Sequence, residues 1–351
     1  MSVSRSTGED ELIAVTAIFR HGERTPITFY PTDPHKNSPV WTSAPSQLTN
    51  DGKKQMFELG KWLRERYNGF LSTTYKKNEI YVLSSDEDRC ITSAASTLAG
   101  LFPPKDNDVW NPDLPWQPIP VHTLPSETDH FFTTWRYSLT LPTFQRHFAS
   151  FDKSEIKKLC DYISAHIGRK ISHFFEALLI WDILYIEEYK HLPLPEWTKE
   201  VYPEKLSKLH SEYYSLQTST LENSKLVIGR FLHEVIKQFE FFANNSREKT
   251  EVPKMKMYSG HDINLHFILK VLEIPHSLDI PFGAFLAIEL KRKSCGKLYV
   301  QLVYKGKDVE VLKIKGNSSE YDYHDFRDIL SQYAVSAAEH SALISKLQSS
   351  L

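Results

Sequence analysis

The sequence predicts an α/β fold: a mainly parallel sheet with helices on both faces, plus a helical cap inserted in mid-chain. Three observations predict it. Short apolar runs alternate with amphipathic helical runs in the first and last thirds of the chain, the pattern of parallel strands joined by crossover helices. Two polar motifs, Arg20-His21-Gly22-Glu23-Arg24-Thr25-Pro26 and Ser259-Gly260-His261-Asp262, each follow directly on such a run. Residues 127–214 have helical periodicity, many aromatics and no strand signal.

Taken in order, the strand candidates are 12–19, 80–84, 118–122, 255–259, 284–290 and 298–304. Between the first two runs a helix is predicted over 53–67, with Met56, Leu59, Trp62, Leu63 and Tyr67 at helical spacing. A second helix covers 89–101. In the middle segment Pro193-Leu194-Pro195 marks a loop. A long helix at 225–242 returns to the sheet, and after the fourth strand 263–272 carries Ile263, Phe267, Ile268 and Val271 on one face. The α/β domain is then discontinuous, 10–125 and 220–335, around a cap at 126–219.

Bulk properties narrow the function. The 351 residues are 41% apolar and 13% aromatic, as in globular chains. A net charge of -2 offers no basic excess to track a nucleic-acid backbone, so that partner is not expected. The most apolar stretch, 174–186, is interrupted by Glu176 and Asp182 and falls short of the ~20 residues that a membrane span needs, so no membrane partner is expected. Reading 12–19 as a secretory leader would place cleavage after Arg20 and His21 and remove them, so the run is a strand. Cys90, Cys160 and Cys295 are an odd, scattered set, not a disulfide framework.

Strand ends in such a sheet form the ligand crevice, and Arg20, His21, Arg89, His261 and Asp262 all sit one or a few residues past one. This set suits covalent phosphoryl transfer. A phosphate monoester carries about two negative charges, and guanidinium forks match its oxygens with paired, charge-assisted hydrogen bonds. His21 is the candidate nucleophile, and neighbouring cations would keep its imidazole neutral. Arg20, Arg24, Arg89 and His261 are the candidate phosphate ligands. Asp262 is the candidate acid and base for the leaving group and the attacking water, which predicts an acidic optimum. Gly22 would let the backbone approach the phosphate. Asp86 and Asp88 lie beside Arg89, and no metal-binding set or cofactor is expected. Blander readings stand beside these: His261-Asp262 as a helix start with an aspartate cap, Arg89 in a salt bridge to Asp86 or Asp88, and Cys90 as a buried small residue. Phe29, Tyr30 and Trp181 are the aromatic candidates for substrate contact. His122 and His130 could line the cleft or a subunit contact, with surface or core placement the plainer alternative.

The chain resembles the histidine acid phosphatases of the prostatic, lysosomal and insect venom type. The resemblance runs over residues 12–305 and includes more than the two motifs. Gln47-Leu48-Thr49-Asn50-Asp51-Gly52 leads into Leu59-Gly60-Lys61-Trp62-Leu63-Arg64-Glu65-Arg66-Tyr67. Ser84-Ser85-Asp86-Glu87-Asp88-Arg89 is followed by Leu98-Ala99-Gly100-Leu101-Phe102-Pro103-Pro104.

That resemblance implies a phosphoglycerate mutase-like sheet, a phosphohistidine on His21, a role for Arg89 in the phosphate cage, and a homodimer. It leaves two alternatives to the phosphatase: a phosphomutase of the same superfamily, and a non-catalytic phosphate binder. Secreted members carry disulfides. Ile186 and Phe285 stand where the resemblance puts one bonded pair, and the C-terminal pair is missing within 316–328. A cytoplasmic protein is therefore expected, the alternative being a secreted or lysosomal form with its leader removed.

Overall fold

The computed structural model describes residues 10–133, 153–244, 252–276, 279–314 and 318–349. Its centre is one mixed sheet. In sequence the strands are β1 (Glu11–Arg20), β2 (Ile80–Ser84), β3 (His122–Thr123), β4 (Met255–Gly260), β5 (Phe285–Arg292), β6 (Leu298–Lys305), β7 (Val309–Leu312) and β8 (Tyr321–Asp322). In space they run β3-β2-β4-β1-β5-β6-β7, with β8 also paired to β6. The half from β3 to β1 is parallel. From β1 onward every pair is antiparallel.

Side-chain alternation sorts each strand between two apolar layers. On β1, Ala14 and Ile18 enter one layer, while Val15, Ala17 and Phe19 enter the other. On β4, Tyr258 faces the first and Met255 and Met257 the second. Helices α1 (Asn50–Arg66) and α2 (Asp88–Leu101) cover the second layer through Met56, Leu59, Leu63, Ala94 and Leu98. Burial of each such side chain contributes about 1.5–3 kcal/mol.

The first layer is closed by α6 (Leu221–Asn244), α7 (Asp262–Val271), α8 (Tyr323–Ser331) and α9 (Ala337–Ser349). The middle segment contributes α3 (Lys153–Ile167), α4 (Phe174–Tyr189) and α5 (Glu204–Leu216). Their apolar faces, among them Ile163, Ile183 and Leu206, join the same layer without a break. Pro193-Leu194-Pro195 is the loop after α4, as expected.

Several boundaries differ from the sequence reading for physical reasons. The strand expected over 118–122 shrinks to His122–Thr123, because Pro118 and Pro120 have no N–H to donate to a ladder. Helix α1 starts at Asn50, ahead of the predicted 53, because the Thr49 hydroxyl accepts from Gly52 N at 3.0 Å and caps it. Strand β7 was not foreseen: Val309, Glu310 and Val311 are exposed, so no buried face marks it. Cys90 and Cys160 are buried, Cys295 is exposed, and all three are free thiols. Ile186 and Phe285 are both fully buried apolar residues. No helix among the described residues is long and apolar enough to cross a membrane.

Candidate active site

Strand register assembles the site. The β1–β4 pairing sets Arg20 beside Gly260, and His21 N donates to Gly260 O at 3.0 Å to extend the ladder by one residue. The β2–β4 pairing sets Ser84 beside Ser259, and Ser85 N donates to Ser259 O at 2.9 Å. His21, Ser85 and His261 therefore leave three neighbouring parallel strands at one end. Helices α2 and α7 begin there too, so their amino-terminal partial positive charges add to the field. A cavity of about 370 Å³ opens at this point, lined by Arg20, His21, Arg24, Arg89, His261 and Asp262 together with residues of α4 and α5.

His21 is buried, and its Nδ1 lies 2.9 Å from the Gly22 carbonyl oxygen. A carbonyl only accepts, so Nδ1 carries the proton and the lone pair is on Nε2. Burial first, then Arg89, Arg24, Arg20 and His261, hold the imidazole well below its usual pKa. The same forces act on His261, where burial is again the largest and Asp262 opposes. The His261 Nε2 lies 3.1 Å from Ser85 Oγ. The two imidazoles meet edge to face with centroids 5.6 Å apart.

Each arginine of the cavity is gripped on part of its fork. Arg20 Nη2 pairs with Asp262 Oδ2 at 2.9 Å, Nη1 donates to the Ile280 carbonyl, and the guanidinium lies 4.0 Å over the Phe282 ring. Arg24 forms a two-pronged pair with Asp182 of α4, at 2.7 and 3.1 Å. Arg89 Nη1 donates to Ser46 Oγ at 2.8 Å and Glu87 at 3.0 Å. The Nε–H groups of all three arginines are buried with no hydrogen-bond partner among the described residues. Buried donors cost free energy when unpaired, so the three arginines are under-satisfied where they line the cavity.

Asp262 opens α7. Burial alone would raise its pKa, but Arg20, His210, His261 and the Tyr214 hydroxyl outweigh it and hold the carboxyl down at about 2. Its Oδ1 accepts from Tyr214 OH at 3.0 Å and from Ile263 N at 2.8 Å. The three carboxylates that line the cavity, Glu176, Asp182 and Asp262, each face a guanidinium group, of Arg169, Arg24 and Arg20 in turn, and the donor set suits an anion.

All six residues singled out in the sequence line the one cavity. Other expectations need correction. Gly22 does not leave room for a ligand: a Cβ there would meet Gly52 O at 2.5 Å, so its missing side chain admits helix α1. Arg89 pairs with Glu87 instead of Asp86 or Asp88, while Asp88 accepts from Gln47 at 3.0 Å. Of the aromatic candidates, Trp181 lines the cavity. Phe29 packs on Trp41, and Tyr30 is buried against Trp197. His122 stacks on Tyr81 and His130 meets His340, both outside the cavity lining. Cys90 is a buried thiol pushed up to about 12 by burial.

Sequence reasoning passed over Asp182, His210 and Tyr214. Asp182 was noted only as an interruption of an apolar run, yet a carboxylate inside such a run is itself the signal of a buried cation nearby. His210 and Tyr214 look like ordinary members of an amphipathic helix.

The sequence matches the description "Histidine phosphatase superfamily (branch 2)" over residues 11–305. Prostatic acid phosphatase of Homo sapiens is 35% identical over 320 residues, covering 86% of this chain and 80% of its own. Lysosomal acid phosphatase of Xenopus laevis is 31% identical over 332 residues, covering 91% and 76%. Among solved structures, the phytase of Klebsiella sp ASR1 superposes with a TM-score of 0.65 over 94% of this chain and 99% of that one, at 16% identity, a likeness of fold.

Proposed function

The chain belongs to the histidine phosphatase superfamily, branch 2, and on that footing we propose that this cavity hydrolyses phosphate monoesters in acid, with His21 as the nucleophile. The observation that carries the assignment is that the guanidinium-bearing Arg20, Arg24 and Arg89 line one cavity with His21, whose Nδ1 is engaged by the Gly22 carbonyl so that the lone pair is on Nε2.

Phosphate oxygens take donors from these guanidinium groups, whose positive charge stabilises the transferring phosphoryl group. His21 Nε2 forms a bond to phosphorus as the ester P–O bond breaks. The electron pair goes to the leaving oxygen, which takes a proton from Asp262. Water then attacks the phosphohistidine, the N–P bond breaks, and Asp262 accepts the proton of the water. His261, beside Ser85, donates to a phosphate oxygen. Neutral His21 is kept available in acid by burial and by its cationic neighbours.

Residues 126–219 act as a cap supplying the outer wall. Among the described residues that wall presents Phe175, Leu178, Leu179, Trp181 and Tyr213, with Ile27 of the loop after β1 beside them, and no lysine. The acid it presents besides Asp182 among the described residues, Glu176, is engaged by Arg169. An apolar or aryl leaving group fits this surface, and a polyanionic one does not. The resemblance also supports a homodimer, which light scattering tests. The free thiols support a reducing compartment and the relatives' names a lysosomal one; localisation of the full-length product separates them.

Rapid quenching with ³²P-labelled substrate tests the nucleophile. Acid-labile, alkali-stable label is expected on His21 and absent from His21→Ala. Label on any other side chain overturns the assignment.

A further inference from the structure

We propose that Tyr214, from the cap helix α5, is a positioning residue for Asp262: its hydroxyl holds Oδ1 and reserves Oδ2 for the proton that goes to the leaving group. The inference rests on the reading of Asp262 as the general acid.

The two carboxylate oxygens have different surroundings. Oδ1 accepts from Tyr214 OH at 3.0 Å and from Ile263 N at 2.8 Å, both neutral donors fixed to helices. Oδ2 meets Arg20 Nη2, at 2.9 Å, and no other hydrogen-bond partner among the described residues. A phosphate group entering the cavity competes for that guanidinium, because Arg20 is itself a cavity arginine. As Arg20 turns to the phosphate, Oδ2 loses its cation and gains a neighbouring anion, and both changes favour protonation there. Oδ1 keeps its two donors throughout. The proton therefore loads on Oδ2, either from solvent or from the substrate monoanion present in acid. It moves to the leaving oxygen as the P–O bond breaks.

The Tyr214 hydroxyl is held in place by a ladder of rings. Tyr185 and Trp181 of α4 stack at 5.1 Å and 14°. Trp181 stacks on His210 of α5 at 3.7 Å and 14°. His210 in turn meets the Tyr214 ring at 4.2 Å. Such contacts lock the rotamer of a residue that must hold another within a few tenths of an ångström. The charged and titratable groups facing Asp262 are Arg20 from β1, Cys90 from α2, His210 and Tyr214 from α5, and His261 and His266 at its own helix. Of the two from α5, Tyr214 hydrogen-bonds Asp262, so docking of α5 completes the acid.

Tyr214→Phe removes the hydroxyl and keeps the ring. An alkyl phosphate has a poor leaving group and needs the proton; 4-nitrophenyl phosphate has a good one and needs it little. For Tyr214→Phe, kcat/KM on the alkyl phosphate is expected to fall at least about ten-fold more than on 4-nitrophenyl phosphate. The alkaline limb of the alkyl-phosphate profile is expected to move to higher pH, because the charged form of Asp262 loses a donor. Both rates come from one sample, so their ratio is independent of the fraction folded. An equal fall on the two substrates, or an unmoved limb, overturns the role of Tyr214. Asp262→Asn separates the two claims. If it spares alkyl-phosphate turnover, the general-acid reading fails; if it abolishes that turnover while Tyr214→Phe matches the wild type, only the Tyr214 proposal fails.

Discussion

At the residue scale the site is a balance of charges held before any ligand arrives. Three guanidinium groups are packed around two imidazoles, and three carboxylates, Asp262, Asp182 and Glu87, keep that packing tolerable. Asp182 is the clearest case. It sits on α4, buried, and grips Arg24 with both oxygens while its Oδ2 also accepts from Ile27 N at 3.1 Å. Removing one partner of a buried pair leaves the other charge uncompensated, at a cost of about 3–5 kcal/mol. Asp182→Asn should therefore lower the unfolding temperature markedly in phosphate-free buffer. Added phosphate supplies an anion to Arg24, so it should recover more stability in the variant than in the wild type. Thermal unfolding with and without phosphate checks this, and equal recovery contradicts it. His21 makes the companion prediction. With its pKa held well below 6.5, the acid limb of kcat/KM should lie far under pH 6. A limb near 6.5 would mean that the cations do not act on it as argued.

At the element scale the site depends on how helices seat against the strand ends. Gly52, in the first turn of α1, lies so close to the loop after β1 that a Cβ would come within 2.0 Å of Glu23 O. Alanine normally stabilises a helix interior over glycine by about 0.5–1 kcal/mol. Here the contact is with backbone that cannot swing aside, and overpacking costs about 1–3 kcal/mol. The clash decides the sign. Gly52→Ala should destabilise the fold and raise KM, because the displaced loop carries His21 and Arg24; a stabilised variant with unchanged KM would refute it. Helices α4 and α5 set the other wall. Their apolar lining predicts that kcat/KM for phenyl phosphate exceeds that for an inositol polyphosphate by at least an order of magnitude. A reversed preference would show that the wall does not select.

The same scale explains what was legible. Strand β1 is buried on both faces and reads as a continuous apolar run with polar residues at its end, so His21 and His261 could be placed at strand ends from sequence. Strand β7 is exposed and left no such mark. Tyr214 and His210 acquire their roles only when α5 docks across the sheet on Asp262, a tertiary contact that no local spacing encodes. Gly22 was legible as a close approach, but sequence could not tell a ligand from a helix as the thing approached.

At the scale of the whole molecule, stability and acid activity pull against each other. Beyond the two imidazoles of the cavity core, His210, His266 and His340 are buried and held at about 4, 3 and 4, chiefly by burial. Each folded value lies below the unfolded value of about 6.5. Between those limits the unfolded chain binds more protons, so stability falls as pH drops from about 6.5 toward 4.

Glu187 works the other way. It is fully buried on α4, and burial together with the Asp33 carboxyl pushes its pKa far up. The folded state binds its proton where the unfolded state does not. Its contribution is complete below the unfolded pKa, about 4.3, and is lost as pH rises above that value. The pair joins the loop after β1 to α4, so acid tightens this junction while it weakens the histidine-rich core. Glu187→Gln cannot titrate. Relative to the wild type, it should gain stability with rising pH, most at pH 8 and least near pH 4. Denaturant midpoints measured across that range settle the sign. A wild-type-minus-variant difference that does not change with pH would mean that the Glu187 proton is not retained in the folded protein.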